Sequence, residues 1–413
     1  MRIYRNPECN SAPEHRWRRA VLWLAGTLVT LSLAPAMADE AACKNADWPL
    51  WQTYATRFVQ KDGRLLESSV EANHSTSEGQ SYAMVFALIG NDRERFDALW
   101  KWTAANMAGA DVGNRLPGWL WGQGKDGKWQ LQDTNSASDS DLWIAYSLLE
   151  AARLWQRPDY REDALRLLKN IEANLVVSLP GLGKMVLPGP EGFTQPDHLW
   201  RLNPSYLPLP LLRRLAKEAP SGPWREIAEN TVKMVSASSP KGYVADWIGY
   251  RATAPKAGLF VVDPVKGELG SYDAIRVYLW AGMTPGTDPL AAPLLARLDG
   301  MSTSTASTGI PPEKVQVISG ALEGQGPFGY SAALIPYFQA KGQPWLAEQQ
   351  KRRAETALNA ALAKTDGERV EPLYYNAMLS LFALGWAEKR YQFRDDGTLK
   401  LTWETSCNRA VTR

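Results

Sequence analysis

Histidine is almost missing from this chain: three in 413 residues, at His15, His74 and His198. Cysteine is as scarce, at Cys9, Cys43 and Cys407. No Cys/His cluster exists to build a zinc site, and no cofactor is implied. Charge of either sign is not in excess either, with Lys and Arg at 46 against Asp and Glu at 44. A broad field for nucleic acid or an anionic membrane is therefore excluded. Long apolar runs are lacking except near the start, where Arg16, Arg18 and Arg19 precede the stretch Ala20 to Ala34. That stretch is shorter than the ~20 residues that span a bilayer. Ala36-Met37-Ala38 follows it as a small-residue cleavage site. Residues 1–38 read as a cleaved secretory signal, which leaves 39–413 as the mature chain in a periplasmic or secreted setting with no membrane span. The signal removes five Arg against Glu8 and Glu14, so the remainder is close to neutral.

Cys9 departs with the signal, and Cys43 and Cys407 sit near the two mature ends. In an oxidising compartment they read as a disulfide tying the termini together, the alternative being two unpaired thiols. Closing so long a loop stabilises by roughly 5 kcal/mol at most on the chain-entropy picture.

Repeats and low-complexity linkers are absent too, so a regular solenoid is excluded and one large domain is simpler than two. What is present is helix after helix. Apolar spacing and end signals predict Trp48–Gln60, Glu78–Gly90, Arg93–Met107, Asp141–Trp155, Tyr160–Val177 and Pro204–Glu218. They further predict Trp224–Ser236, Tyr272–Met283, Pro289–Leu298, Ser331–Ala340, Pro344–Lys364 and Leu373–Glu388. Twelve helices in pairs point to an all-α toroid. The segments Arg115–Gly127, Leu179–Phe193 and Tyr250–Gly270 are rich in Gly, Pro and aromatics and read as long loops. Tyr391-Gln392-Phe393 and Leu399-Lys400-Leu401, flanking Arg394-Asp395-Asp396-Gly397, read as a hairpin.

Three of these helices begin on an acid. In Thr76-Ser77-Glu78-Gly79-Gln80-Ser81-Tyr82, Ser77 suits an N-cap and Glu78 falls in the first turn. Gly79 costs about 1 kcal/mol relative to Ala there, and the expected return is room for a ligand at the helix end. In Asn135-Ser136-Ala137-Ser138-Asp139-Ser140-Asp141 two acids precede a helix apolar on nearly every face. One of them is expected to cap and the other to face a cavity. In Gly270-Ser271-Tyr272-Asp273-Ala274-Ile275-Arg276, Arg276 can face the same side as Asp273 three residues before it. Acids at helix starts also serve simply as caps and dipole partners. A toroid, however, brings its helix ends to one rim, and sugar hydrolysis needs such a pair: an acid for the leaving oxygen and a base or nucleophile. The sixteen Trp that remain after the signal fit a cleft that stacks on pyranose faces, with Trp119, Trp121, Trp200 and Trp247 all in loop segments.

Glu78 in TSEGQSY, the run ASDSDLWIAYSLLEAARLW and Asp273 in SYDAIRV together resemble the family-8 glycoside hydrolases. RLPGWLWG, VSLPGLGKMVLPG, LNPSYLP, PPEKVQV, GPFGYSAA and the terminal cysteines strengthen the resemblance, most closely to the members encoded beside bacterial cellulose synthases. It covers most of the mature chain, and three motifs in order make it specific. It implies an (α/α)6 barrel and inverting hydrolysis of β-1,4-glucan without a cofactor, with cellulose chains as substrate and the cellulose synthase machinery as a partner. Glu78 is then similar to the general acid, Asp273 to the general base and Asp139 to the carboxylate supporting the sugar at the cleavage point. Tyr206 and Arg276 match positions that hold the water and the base. Trp119, Trp121, Tyr272, Arg201 and Tyr375 join them as expected substrate-binding residues. One departure is Ser140, where the family usually has Gly or Ala; it bears on the local backbone angle. Rivals from other classes are a non-catalytic glucan holder and a polysaccharide lyase. A complete carboxylate set speaks against the first, and near-neutral charge with little His against the second. Xylan and chitosan stay open as substrates, chitosan less so because it would favour more acidic excess.

Overall fold

The computed structural model describes residues 46–67, 73–363 and 373–404. Among them are thirteen α-helices. These are α1 (Pro49–Phe58), α2 (Ser77–Ile89), α3 (Arg93–Met107), α4 (Ser138–Trp155), α5 (Pro158–Leu175), α6 (Leu209–Glu218) and α7 (Trp224–Ala237). There follow α8 (Ala274–Met283), α9 (Ala291–Leu295), α10 (Asp299–Thr308), α11 (Phe328–Ala340), α12 (Pro344–Leu362) and α13 (Leu373–Ala387). All twelve expected helices are present, Arg93–Met107 with the expected bounds and the others with one or both ends shifted. The serine- and threonine-rich α10 is additional, because its sequence carries little apolar periodicity to announce it.

The helices form an (α/α)6 barrel. Six of them, α2, α4, α6, α8, α11 and α13, make the inner ring. Neighbours around the ring pack against one another, and beside α6 a 3-10 turn, Pro204–Tyr206, packs against α8. Composition explains the choice of layer. Helix α2 buries every residue after Glu78, and α8 buries its whole length. A helix apolar all round has to be surrounded by protein. An outer helix such as α5 instead buries one stripe, Tyr160, Ala164, Leu167, Leu168, Ile171 and Leu175, and leaves its charges in water. Where α8 meets α11, a Cβ on Gly282 would come within 2.2 Å of the Tyr337 nitrogen, so only glycine allows this approach.

Four inner helices meet in an aromatic plug on the barrel axis. Phe382 of α13 lies 4.6 Å from Phe86 and 5.5 Å from Tyr82, both of α2. It also lies 5.5 Å from Trp143 of α4 and 5.2 Å from Trp280 of α8. Truncating such a ring to Ala costs about 3–5 kcal/mol. This plug is the floor on which the acidic helix starts rest. The far end of α4 is pinned as well: buried Glu150 accepts from Arg214 at 2.7 Å and from the Leu399 amide at 2.9 Å. Leu399 belongs to the hairpin Tyr391–Phe393 with Leu399–Leu401, which forms as the sequence predicted.

The segments expected as loops carry strands. Gly118–Gln123 pairs with Trp129–Ser136 and with Ser75–Thr76. Val176–Leu179 pairs with Gly183–Val186, and Ile248–Ala254 with Ala257–Val262. Glycine and proline dominated these stretches locally, yet cross-strand pairing supplies the hydrogen bonds that the barrel rim cannot. Three strands run straight into acidic helix starts: Ser75–Thr76 into α2, Trp129–Ser136 towards α4, and Leu269–Gly270 towards α8. No described helix is long and apolar enough to cross a membrane. The expected signal segment, with Cys9, and the expected disulfide partners Cys43 and Cys407 lie outside the described residues.

Candidate active site

The three acidic starts converge at one mouth of the barrel, each held differently. At α2 the N-cap is Thr76, whose hydroxyl accepts from the Gly79 amide at 3.1 Å. The expectation that Ser77 caps is corrected: an extended residue must precede the first turn, and the strand ends at Thr76, one residue earlier. Ser77 is left free to turn inward, where its Oγ lies 2.6 Å from the Ser140 Oγ and 3.4 Å from Glu78 Oε2. Gly79 is also corrected. A Cβ there would sit 2.5 Å from the Tyr374 hydroxyl and 2.9 Å from Leu65, so the glycine makes room for neighbouring protein and not for a ligand.

At α4 neither aspartate caps; Ala137 occupies that position with no side-chain bond. Asp139 and Asp141 are both inside the first turn and both buried. Apolar packing of α4 draws its first turn into the barrel, so no open cap position remains for either. The backbone at Ser140 is helical, and its amide donates to Asp139 Oδ1 at 2.8 Å. Asp139 Oδ2 takes the Tyr82 hydroxyl at 3.5 Å and lies 4.0 Å from Arg276 Nη2. Burial pushes Asp139 up to about 6 despite that guanidinium. Asp141 is held well above the usual carboxylate range by burial.

At α8 the geometry matches the expected i,i+3 pairing. Arg276 Nη2 donates to Asp273 Oδ1 at 2.7 Å and to Ser205 Oγ at 2.9 Å, and its Nη1 reaches the Tyr375 hydroxyl at 3.3 Å. The second oxygen of Asp273 accepts from Trp247 Nε1 at 3.0 Å. The start of α8 is itself fixed by buried Asp246, which accepts the Ser271 and Ala274 amides, each at 2.7 Å. Asp246 is a residue the sequence did not single out. Its neighbour Trp247 was visible as a loop aromatic, but the pairing of Asp246 across 25 residues left no local signal.

Electrostatics separates the acids. Burial, then the nearby Asp139 charge, pushes Glu78 up to about 8, so it carries a proton at neutral pH. Asp139 feels the charge of Asp273 in turn, and so stands electrostatically between the other two. Tyr206, at the end of the 3-10 turn, feels Asp139, Asp273 and Glu78 together and stays well above the usual phenol range, chiefly through burial. Its ring meets Trp247 edge-on at 6.0 Å.

The expected substrate-binding residues divide. Tyr206, Tyr272, Arg276 and Tyr375 gather around Asp273: Tyr375 donates to the Tyr272 carbonyl, and the two rings lie 6.0 Å apart. Arg201 is committed to Asp263 at 2.7 and 3.1 Å, with its guanidinium 5.0 Å from the Trp247 ring. It braces the wall behind Trp247, which also stacks on Phe193 at 5.7 Å. Trp119 and Trp121 lie half-buried on Gly118–Gln123, the first strand of the hairpin that leads into α4. Trp121 packs edge-on to Trp102 and stacks on exposed Trp129, with Arg64 4.4 Å from its ring. Trp200 is half-buried against the core in the strand opposite Tyr250.

A protonated carboxyl and a guanidinium-held carboxylate in the mouth of a helical toroid suit one chemistry above others, acid–base cleavage of glycosidic bonds. Comparison with known proteins gives the same class and narrows it. Residues 23–389 match Glycosyl hydrolases family 8, and the chain belongs to that family. It is 56% identical over 387 residues to an endoglucanase of Pseudomonas fluorescens, covering 92% of this chain and 97% of that protein. Among solved structures, the endo-1,4-D-glucanase of Vibrio fischeri superposes with a TM-score of 0.80 at 38% identity, over 86% of this chain and 99% of that one. The endo-beta-1,4-glucanase CMCax of Acetobacter xylinum gives a TM-score of 0.65 at 25% identity, over 84% and 97%.

Proposed function

We propose that this protein is an endo-β-1,4-glucanase that hydrolyses cellulose-type chains with inversion at the anomeric carbon. Glu78 is the general acid, Asp273 the general base that activates water, and Asp139 the carboxylate that supports the sugar between them. The observation that carries the reading is the contrast between the surroundings of the two carboxyl groups. Glu78 keeps its proton at neutral pH, whereas Asp273 has each oxygen on a donor, Arg276 or Trp247. An acid that must donate and a base that must accept need opposite environments. Asp139 standing electrostatically between them favours a separation with room for a water, the inverting arrangement of roughly 6.5–9.5 Å. Tyr206 holds that water, and Tyr272, Tyr375 and Arg276 line the sugar's path. Trp119 and Trp121 continue the path along the strand wall.

The glucan preference follows the named activities of the relatives; xylan and chitosan are the competing substrates. Reducing-end release from carboxymethyl cellulose, xylan and chitosan tests it, with cellulose expected to lead. Glu78→Gln and Asp273→Asn should each lower that release by about 10²–10⁴-fold while glucan binding persists. Near wild-type activity in either variant contradicts the role given to that residue.

Around this core, residues 39–413 form one catalytic domain behind a cleaved 1–38 signal, delivered to the periplasm or beyond. Cys43 and Cys407 pair there, and non-reducing peptide mapping that recovers both thiols free contradicts it. The resemblance to the cellulose-synthase-linked members supports a role in cellulose synthesis, with the synthase machinery as partner. Co-purification with the synthase from a cellulose-producing host tests that partner.

A further inference from the structure

Ser140 is wholly buried, and its hydroxyl has two oxygen neighbours: the Ala137 carbonyl at 2.7 Å and the Ser77 Oγ at 2.6 Å. A carbonyl oxygen can only accept, so the single Ser140 hydrogen is committed to Ala137. The short contact with Ser77 then requires Ser77 to donate. Ser77 has one hydrogen as well, and with that spent it presents only lone pairs to Glu78 Oε2, 3.4 Å away. Lone pairs repel a carboxylate oxygen and accept from a carboxylic O–H.

We propose that Ser140 is a positioning residue that draws the Ser77 hydroxyl hydrogen away from Glu78 and so keeps the Glu78 carboxyl in its acid form. This rests on Glu78 being the general acid. The relay acts within a crowded setting. Glu78 is faced by Tyr82 from its own helix, Asp139 and Asp141 from α4, Arg276 from α8, Tyr206 from the 3-10 turn and Tyr374 from α13. Burial and Asp139 favour the proton, while a backbone hydrogen bond and then Arg276 oppose it. Burial holds Asp141 well above the usual carboxylate range too. A Ser77 hydroxyl turned to donate would side with Arg276, and Ser140 prevents that turn.

The test is the pH dependence of kcat/KM on carboxymethyl cellulose for the wild type, Ser140→Ala, Ser140→Gly, Ser77→Ala and the Ser77→Ala/Ser140→Ala double variant. Freed from Ser140, the Ser77 hydrogen swings to Glu78 and stabilises the carboxylate. The basic limb of both Ser140 variants is therefore expected to fall by about 0.5–1 pH unit, the size of one ordinary net hydrogen bond. With Ser77 already alanine there is no hydrogen to swing, and removing Ser140 should leave the limb where it was. A basic limb that stays put or rises in Ser140→Ala and Ser140→Gly overturns the proposal. So does an equal fall in the Ser77→Ala background, which would mark a packing effect. Glu78→Gln measured alongside separates the two layers. Its retention of activity defeats the acid assignment itself, whereas an inactive Glu78→Gln with an unmoved Ser140→Ala limb defeats only the relay.

Discussion

Replacing Glu78 by Gln should make the protein more stable, by a margin that grows with pH. The folded barrel holds Glu78 at about 8, against an ordinary value of 4.5 in the unfolded chain. Between those two values the folded state keeps a proton that the unfolded state has lost. Unfolding then releases a proton, so stability falls as pH rises through that window. This is the reverse of a salt-bridged carboxylate, whose stabilisation is present at neutral pH and lost on acidification. The full slope is about 1.4 kcal/mol per pH unit, or nearly 3 kcal/mol from pH 5.5 to 7.5. Glu78 shares its charge balance with Asp139 and opens partly onto the cleft. Both reduce the effect, and about 1–2 kcal/mol is the expected gain over that interval. At roughly 2.1 cal/mol/K per residue, a barrel of this size shifts its Tm by about 1–3 °C. The amide has the shape of the neutral acid, so little else changes. Calorimetric or urea unfolding of both proteins at pH 5.5, 6.5 and 7.5 reads the margin. Parallel stability curves, or a margin that shrinks as pH rises, would refute the reasoning.

Gly79→Ala should destabilise by about 1–3 kcal/mol, since the new Cβ meets the Tyr374 hydroxyl and Leu65. Adding Tyr374→Phe, which deletes the obstructing oxygen, should recover part of that loss in urea melts; no recovery contradicts the contact. Trp247→Phe removes the indole donor from Asp273 while keeping a ring against Phe193 and Arg201. It should lower kcat about tenfold with a smaller change in KM, and an unchanged kcat contradicts a positioning role for Trp247.

Most of the barrel was legible because its inner helices are apolar on every face and its outer helices on one. Helix α10 was not legible, since DGMSTSTAST has no apolar rhythm and takes its helical state from packing. The rim strands were hidden for a related reason: GWLWGQ reads as a glycine- and tryptophan-rich loop until its partner 129–136 is known. At the site, the acids and Arg276 could be found because each opens a helix. The caps were misassigned because one residue of strand shifts them: Thr76, not Ser77, ends the strand. Asp246, the Trp247–Asp273 bond and the Ser77–Ser140 contact span 25, 26 and 63 residues. Only the closed ring brings such partners together, and no local pattern encodes them.

Proton NMR of the first products from a soluble cello-oligosaccharide tests the proposed division of labour most directly. If Glu78 donates to the leaving oxygen while Asp273 activates water from the opposite face, the newly formed reducing ends appear first in the α configuration. The β form then grows in only by mutarotation. New reducing ends that are β from the earliest time points would mean that a carboxylate attacks carbon, and would contradict the roles given to Glu78 and Asp273.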